Sequence, residues 1–317
     1  MPSTLAGPMD VFSAVGVSWN FINAVAPQPF FEVEMVTECG NKIKCYNGIE
    51  VPVKTYWQDI EQTDLIFIPS FAVMGGQPKL SEDLIQWFHK MADNGAVIAS
   101  VCTGAFFLSA TGLLENKRAT THWAFQKQFK TLNPSIDVVS DQIIVEDTGI
   151  ITAGGGSAWH DLVLFLIERF AGLEVANQTA KMFLLDRHEN PQASYAAAYQ
   201  PAYHNDAAIE KSHQCISQNY SKSGVINQAI EMSGLAERTF YRRFKQAMGI
   251  TPIKFLQQVR IEKSKVLLEK TEQGMDDIAL QVGYENASSF RRLFKHEVQL
   301  LPTEYRKKFS SGMNINN

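Results

Sequence analysis

The C-terminal third of the sequence repeats itself at an offset of 50 residues, with no gap needed to align the copies. Ala229, Thr239, Phe240, Arg242, Phe244, Lys245 and Pro252 are echoed by Ala279, Ser289, Phe290, Arg292, Phe294, Lys295 and Pro302. A duplicated supersecondary unit is the simplest cause, so this part of the chain must form two similar pieces in series. Each copy has a short apolar helix (residues 225–232, then 275–282), a break containing Gly234 or Gly283, and a helix carrying basic residues. That order is the helix-turn-helix pattern. Residues 252–270 read as one long helix joining the two.

In the second helix of each copy the phenylalanines recur at i and i+4, a spacing that turns them to one face. Phe240, Phe244, Phe290 and Phe294 are therefore assigned to core. Arg238, Tyr241, Arg242 and Lys245 are left near the outer face of the first helix, and Ser288, Arg291, Arg292 and Lys295 near that of the second. An arginine fork can bond guanine bidentately or neutralise phosphate, while lysine, serine and tyrosine add phosphate or polar contacts. For a single helix a solvated basic face would be the simpler explanation. Two matching helices at a fixed offset point to double-stranded DNA.

Charge supports the division of labour. The net charge of -4 is split unevenly: residues 206–317 hold 17 Lys and Arg against 12 Asp and Glu, while residues 1–205 hold 12 against 21. A basic unit tethered to an acidic one is what is expected when one of them meets phosphate. RTFYRRFKQAMGITPIKFLQQVRIEKSKVLLEK and DDIALQVGYENASSFRRLFKHEVQLLPTEYRKKF resemble the AraC/XylS family of regulators over roughly the last hundred residues. The resemblance implies two units held by a linking helix, each placing its second helix in one of two neighbouring major-groove segments. Two departures are visible: Ala236 stands where the family often has a serine cap, and Gln299 replaces the glycine that Gly249 supplies in the first copy. Both are expected to cost local stability rather than function.

The first 185 residues alternate strand-like runs (FEVEMV, DLIFIP, AVIASV, GIIT) with amphipathic stretches at residues 81–94 and 159–170. This is the signature of an α/β domain with a mainly parallel sheet. AVIASVCTGAFFLSATG reads as a strand, a small-residue turn at Cys102 and a helix, the form of a nucleophile elbow. A thiol at a helix N-terminus feels the helix dipole, which favours thiolate. LAGPMDVF, SVCTGAFFLSATGLL, RATTHW and ITAGGGSAWHDL resemble the class I glutamine amidotransferase-like superfamily, in particular PfpI-type domains fused to AraC-type regulators, across most of residues 5–185. The resemblance implies a sandwich around a mainly parallel sheet, and a domain that binds effectors rather than turning over substrate.

Thr103 follows the cysteine where PfpI-type enzymes often have histidine, and Thr4 corresponds to the acidic residue that contacts the thiol in those enzymes. Without an adjacent base or carboxylate the thiol lacks the partners of covalent catalysis. No catalytic residue is therefore assigned. His122 is expected to shape a pocket and His160 to lie in the capping region of a helix. Strand ends in open α/β sheets converge on one crevice, and the candidate effector pocket comprises Thr4, Cys102, Thr103, His122, Gly154 and Gly155. Residues 154–156 would let backbone N–H groups approach an anion, and Trp123 or Trp159 could face a cation. The resemblance implies an amino acid or a quaternary amine as effector. It also implies a strand before LAGPMDVF; Met1 lies too close to Leu5 for one, so either the chain starts downstream or the sheet lacks that strand.

The expected organisation is a PfpI-type effector-sensing domain at 1–187, a connector at 188–205, an all-α double helix-turn-helix domain at 206–309 and a disordered tail at 310–317. The expected function is a sequence-specific transcriptional regulator controlled by a small molecule. Its alternatives are a cysteine hydrolase and a thiol redox sensor, both built on Cys102. Four cysteines without a C-x-x-C pair give no disulfide framework and no zinc site, and no metal or cofactor is implied. Expected partners are DNA, the effector, a second copy of the chain in a homodimer and RNA polymerase. No membrane partner is expected, and the location is cytoplasmic.

Overall fold

A computed structural model describes residues 1–38, 41–72, 76–197 and 204–310. The connector residues 198–203, the tail after Ser310 and Cys39 lie outside the described residues. The chain divides into two compact units, Met1–Gln192 and Ala193–Asn317.

The first unit runs α1 (Ser3–Ala14), α2 (Ser18–Ile22), β1 (Val36–Thr37), β2 (Lys42–Lys44), β3 (Glu50–Pro52), β4 (Thr55–Tyr56), β5 (Leu65–Ile68), α3 (Glu82–Asp93), β6 (Val97–Val101) and α4 (Gly104–Ala110). It continues through β7 (Arg118–Ala119), α5 (Gln126–Leu132), β8 (Asp137–Val138), β9 (Ile144–Asp147), β10 (Ile150–Ala153), α6 (Trp159–Ala171) and α7 (Leu173–Phe183). The central sheet has the order β5-β6-β10-β9. β5, β6 and β10 run parallel, and β9 closes one edge antiparallel.

Alternation along the strands divides the apolar residues between two layers. From β6, Ile98 joins a core with Phe106, Phe129, Trp87 and Met91. Val97, Ala99 and Val101 face the opposite layer with Phe12, Leu162, Leu166 and Ile167 of α1 and α6. All five β6 residues are buried, as a strand covered on both faces requires. Ser81 accepts from the backbone N–H of Leu84 and starts α3, as the amphipathic pattern of that stretch anticipated.

FEVEMV differs from its expected form. Val36 and Thr37 pair with Thr55 and Tyr56 in a two-strand ladder apart from the main sheet, while Phe31 and Val33 still pack on the second core. Among the described residues no strand precedes α1, and β5 forms the other edge of the main sheet.

Among the described residues the second unit carries only helices from α8 onward: α8 (Ala207–Asn219), α9 (Val225–Ser233), α10 (Glu237–Met248), α11 (Pro252–Lys270), α12 (Met275–Gln281), α13 (Ala287–Val298) and α14 (Pro302–Phe309). α10 and α13 begin and end at residues 50 apart, so the sequence repeat is a structural repeat. Each copy has its own core. Phe240, Phe244, Val225 and Ala229 pack with Phe255 and Val259, and Phe290, Phe294, Ile278 and Ala279 pack with Ile261 and Leu268. α11 therefore serves the first core with its N-terminal half and the second with its C-terminal half.

Candidate functional site

In the helical unit, burial of both phenylalanines of each repeat turns the opposite face of the helix outward. Phe240, Phe244, Phe290 and Phe294 are each 0% exposed. Arg238, Arg242 and Lys245 are exposed on α10, and Ser288, Arg291, Arg292 and Lys295 on α13. Tyr241 is the exception. It is half-buried, packs edge-on against Phe240 with ring centroids 5.7 Å apart, and belongs to the margin of the first core.

Arg291 donates through Nη2 to Asp276 of α12 at 2.5 Å. Both side chains are largely exposed, and such a pair is worth at most about 1 kcal/mol in water, so the guanidinium can exchange this partner for phosphate. Arg243, beside Arg242 in sequence, faces the other way and bonds Asp206. The helical period alone separates these two neighbouring arginines.

At the N-terminus of α13, Asn286 caps the backbone N–H groups of Ser288 and Ser289. At the equivalent position of α10, Ala236 supplies no side-chain cap. Gln299 ends α13 in the left-handed region at φ 61°, where Gly249 ends α10 at φ 75°. Both sequence departures are thus structural ones.

In the first unit, Cys102 sits at the C-terminal end of β6 with φ 58°. This is the strained strand-to-helix turn that the small-residue pattern predicted. Its backbone is fixed on both sides: its N–H donates to Ala153 O at 2.8 Å, and its carbonyl accepts from Thr121 Oγ1 at 2.7 Å. The side chain is 4% exposed. Burial pushes the thiol above its ordinary value, against hydrogen bonding from Thr103 and the nearby terminal ammonium of Met1. Desolvation, which disfavours the thiolate, is the largest of these influences.

Thr103 is turned away to the loop after β5, donating to Phe71 O at 2.6 Å and accepting from Phe71 N–H at 3.1 Å. Thr4 reaches the same loop, its Oγ1 lying 2.8 Å from Ser70 Oγ and accepting from Ser70 N–H. The terminal ammonium of Met1 also donates to Ser70 Oγ at 2.9 Å. Thr4, Cys102 and Thr103 therefore meet around the C-terminal ends of β5 and β6.

His122, Gly154 and Gly155 gather at the end of β10 around a residue that the sequence reading left in the connector. Gln192 is 2% exposed. Its Oε1 accepts from Trp123 N–H and Gly155 N–H, and its Nε2 donates towards Thr120 Oγ1, Thr121 O and Gln142 O. A Cβ on Gly154 would come within 2.1 Å of this amide, so glycine is required by close approach. The Gly154 N–H is used by Ile143 O. Of the three glycine N–H groups that the sequence offers to an anion, those of Gly154 and Gly155 are thus already bonded within the unit.

His122 caps a short helical turn, its Nδ1 accepting from Ala124 N–H, and burial lowers its pKa. With Nδ1 accepting, the neutral ring carries its proton on Nε2. His160 lies against Trp159, with centroids 3.9 Å apart, and Trp159 in turn leaves no room for a Cβ on Gly7. Trp159 is thus a packing residue, as the alternative to a cation site would have it. The carboxylate of Asp161 goes to His188, accepting from its N–H and bonding its Nδ1. Sequence adjacency of His160 and Asp161 gave no sign of that partner. Among the described residues, no group of His, Cys, Asp and Glu could hold a metal ion.

Similarity to the DJ-1/PfpI family extends over residues 5–169, more than half of the sequence. The chain belongs to the DJ-1/PfpI family. This family member also carries a helix-turn-helix domain over residues 230–308, of the AraC type. It is 26% identical over 308 residues to the HTH-type transcriptional regulator CdhR of Pseudomonas aeruginosa, covering 93% of this chain and 88% of that one. To the HTH-type transcriptional regulator GlxA of Rhizobium meliloti it is 22% identical, with 91% and 89% covered. Isonitrile hydratase of Pseudomonas putida is 30% identical over 172 residues, which are 54% of this chain and 68% of the enzyme. A solved structure from Vibrio parahaemolyticus has the same fold, with TM-score 0.51 at 22% identity over 58% of this chain and 92% of that one. The two resemblances read from the sequence, and the pairing of an α/β unit with an all-α unit, are borne out. Among the described residues no helix is long and apolar enough to cross a membrane.

Proposed function

We propose that this DJ-1/PfpI family member is a transcriptional regulator that reads a specific DNA sequence with α10 and α13, under control of a small molecule taken up at the C-terminal ends of β5, β6 and β10. The observation that carries the reading is the repeated exposed cationic face: Arg238, Arg242 and Lys245, then Arg291, Arg292 and Lys295, each set on a helix whose opposite face is fully buried. Two such helices spanned by α11 suit two successive major-groove segments. Similarity to CdhR and GlxA over nearly the whole chain supports the same class of activity.

The test is selection of genomic fragments by the full chain at two salt concentrations, repeated with Arg242→Ala plus Arg292→Ala. A short enriched site is expected, with affinity falling steeply in salt and a salt slope smaller by about 1 for each phosphate contact removed. No enriched sequence, or equal recovery by the double variant, overturns the reading.

For the effector, the family resemblance offers an amino acid or a quaternary amine, for which the hydroxyls of Thr4, Ser70 and Thr103 would exchange their present bonds within the unit. A thermal-shift screen of both classes against the full chain tests this. A second reading, hydration of an isonitrile as named for the Pseudomonas putida relative, draws on the elbow at Cys102. The buried, protonated thiol argues against it, and turnover abolished by Cys102→Ala would establish it.

A further inference from the structure

Arg260 lies midway along α11, between Val259, which belongs to the first helix-turn-helix core, and Ile261, which belongs to the second. It is half-buried, and among the described residues it forms no ion pair. Its Nε donates to the carbonyl of Tyr220, the residue that ends α8, at 2.8 Å. Its guanidinium carbon stands 5.3 Å from the ring centroid of Tyr284, in the turn of the second helix-turn-helix repeat.

Those two tyrosines bracket the seam between the cores. Tyr220 packs against both of them, and Lys263 adds a second cation 5.7 Å from its ring. Tyr284 lies against Phe290 of α13 at 5.6 Å, and its hydroxyl is buried without a hydrogen-bond partner. The turn of the second repeat also touches the connection between α8 and α9. A Cβ on Gly283 would lie 2.7 Å from Ser221 O and 2.9 Å from Arg260 Nη2, and the backbone there has φ +94°. A second strut runs from α11 to α13, where Lys254 Nζ donates to Glu297 at 2.5 Å.

An arginine fork fits this place because it offers a directional donor to the carbonyl and a flat face to the ring at once. From this arrangement we infer that Arg260 is a positioning residue. By holding the end of α8 and the turn before α13 on one guanidinium, it sets the separation and angle of α10 and α13, and so restricts the protein to DNA whose two contacted segments have one spacing. The consequence for spacing rests on the regulator reading above. The consequence for geometry does not.

The test therefore uses two readouts on the full chain. The first is the distance distribution between spin labels at Gln246→Cys and His296→Cys, equivalent exposed positions of the two repeats, with Cys39 and Cys45 replaced by serine. The second is relative affinity for duplexes carrying the selected site with its two halves moved apart or together by one or two base pairs. The native side chain should give one narrow distance peak and a preference for one spacing. Arg260→Met, which keeps the stem and removes the fork, should broaden the peak and reduce the spacing preference about tenfold. Arg260→Lys should fall between. Gly283→Ala, which keeps the arginine but crowds its Nη2 and the Ser221 carbonyl, should shift the peak and serves in place of Arg260→Met if that variant does not fold. An unchanged peak in the folded variants overturns the inference whatever the DNA result. A broadened peak in a chain that binds no DNA upholds the joint and overturns the regulator reading.

Discussion

Both Nε and Nη2 of Arg243 end on the carboxylate of Asp206, at 2.9 and 2.7 Å, while that carboxylate also accepts the backbone N–H groups of Ala208 and Ile209. One side chain therefore starts α8 and clamps the inner flank of α10 to it. The hydrogen bonds from Arg243, opposed by partial burial and helped by the capping N–H groups, hold the Asp206 carboxyl below its ordinary value. A depressed pKa means stability that is fully present above the ordinary carboxylate value and is lost as pH falls through the lowered one. Asp206→Ala should destabilise the chain by about 1–2 kcal/mol at neutral pH, combining a lost cap with a lost pair. Asp206→Asn should keep most of the cap and lose the pair. Urea unfolding should show the difference between native chain and Asp206→Asn shrinking as the medium is acidified, and a difference that grows with acid would refute the assignment.

Gln192 ties the end of the first unit to three of its loops through one amide. Replacing it with alanine leaves the N–H groups of Trp123 and Gly155 without their acceptor, and stranded buried donors cost about 1–3 kcal/mol each. Gln192→Ala should therefore lower stability by roughly 2–4 kcal/mol. Hydrogen exchange should accelerate at Trp123 and Gly155, with little change at Phe240 or Phe290. Gln192→Glu keeps the acceptor but loses the donation to Thr121 O and Gln142 O, so it should not restore the native value. Native exchange at Gly155 in the alanine variant would show that the amide is not what protects it.

The elbow at Cys102 makes a chemical prediction. A buried thiol whose pKa is raised should alkylate slowly at neutral pH, because the thiolate is the reacting species. Iodoacetamide should modify Cys45, which is half-buried, well before Cys102, and Cys102 should react only as the chain unfolds. Cys102→Ala should leave DNA affinity, measured without effector, within about twofold of native, since a thiol offers phosphate no cationic contact. Labelling of Cys102 ahead of Cys45 would return catalysis or redox sensing to consideration.

What could be read from the sequence was whatever depends on local periodicity or on repetition. The phenylalanines at i and i+4 turn the arginines outward, and the offset of the sequence repeat is the offset between α10 and α13. Tyr241 lies at the margin of that face, half-buried, because its ring also packs edge-on against its neighbour Phe240, a contact that helical spacing does not show. Gln192 and the Asp161–His188 pair were invisible because their partners lie 27 or more residues away, and a residue in a stretch rich in small and polar side chains carries no local sign of burial. FEVEMV alternates like a strand, yet forms only a two-residue ladder; strand propensity reports a half-buried pleated surface, which Phe31 and Val33 find without pairing. For Cys102, the turn was legible and the pKa was not, since the sequence shows the dipole and hides the desolvation.

The two places where the repeat departs from itself offer the last prediction. Ala236 already has the extended backbone of an N-cap, φ -61° and ψ 142°, but no oxygen to accept the N–H groups of α10, whereas Asn286 accepts two at the same place in α13. Ala236→Ser should add about 1 kcal/mol by supplying that acceptor. At the other end of the repeat, Gln299 holds a left-handed conformation that costs a side chain roughly 1 kcal/mol and costs glycine nothing. Gln299→Gly should recover part of this, reduced by loss of the bond from Gln299 Nε2 to His296 O. Because the two positions are exposed, lie in separate repeats and share no partner, their effects should add in the double variant. Thermal unfolding of the two single variants and their double checks both statements. A double variant no more stable than the native chain would mean that these caps do not limit stability, and that the helices are held by Phe240, Phe244, Phe290 and Phe294 alone.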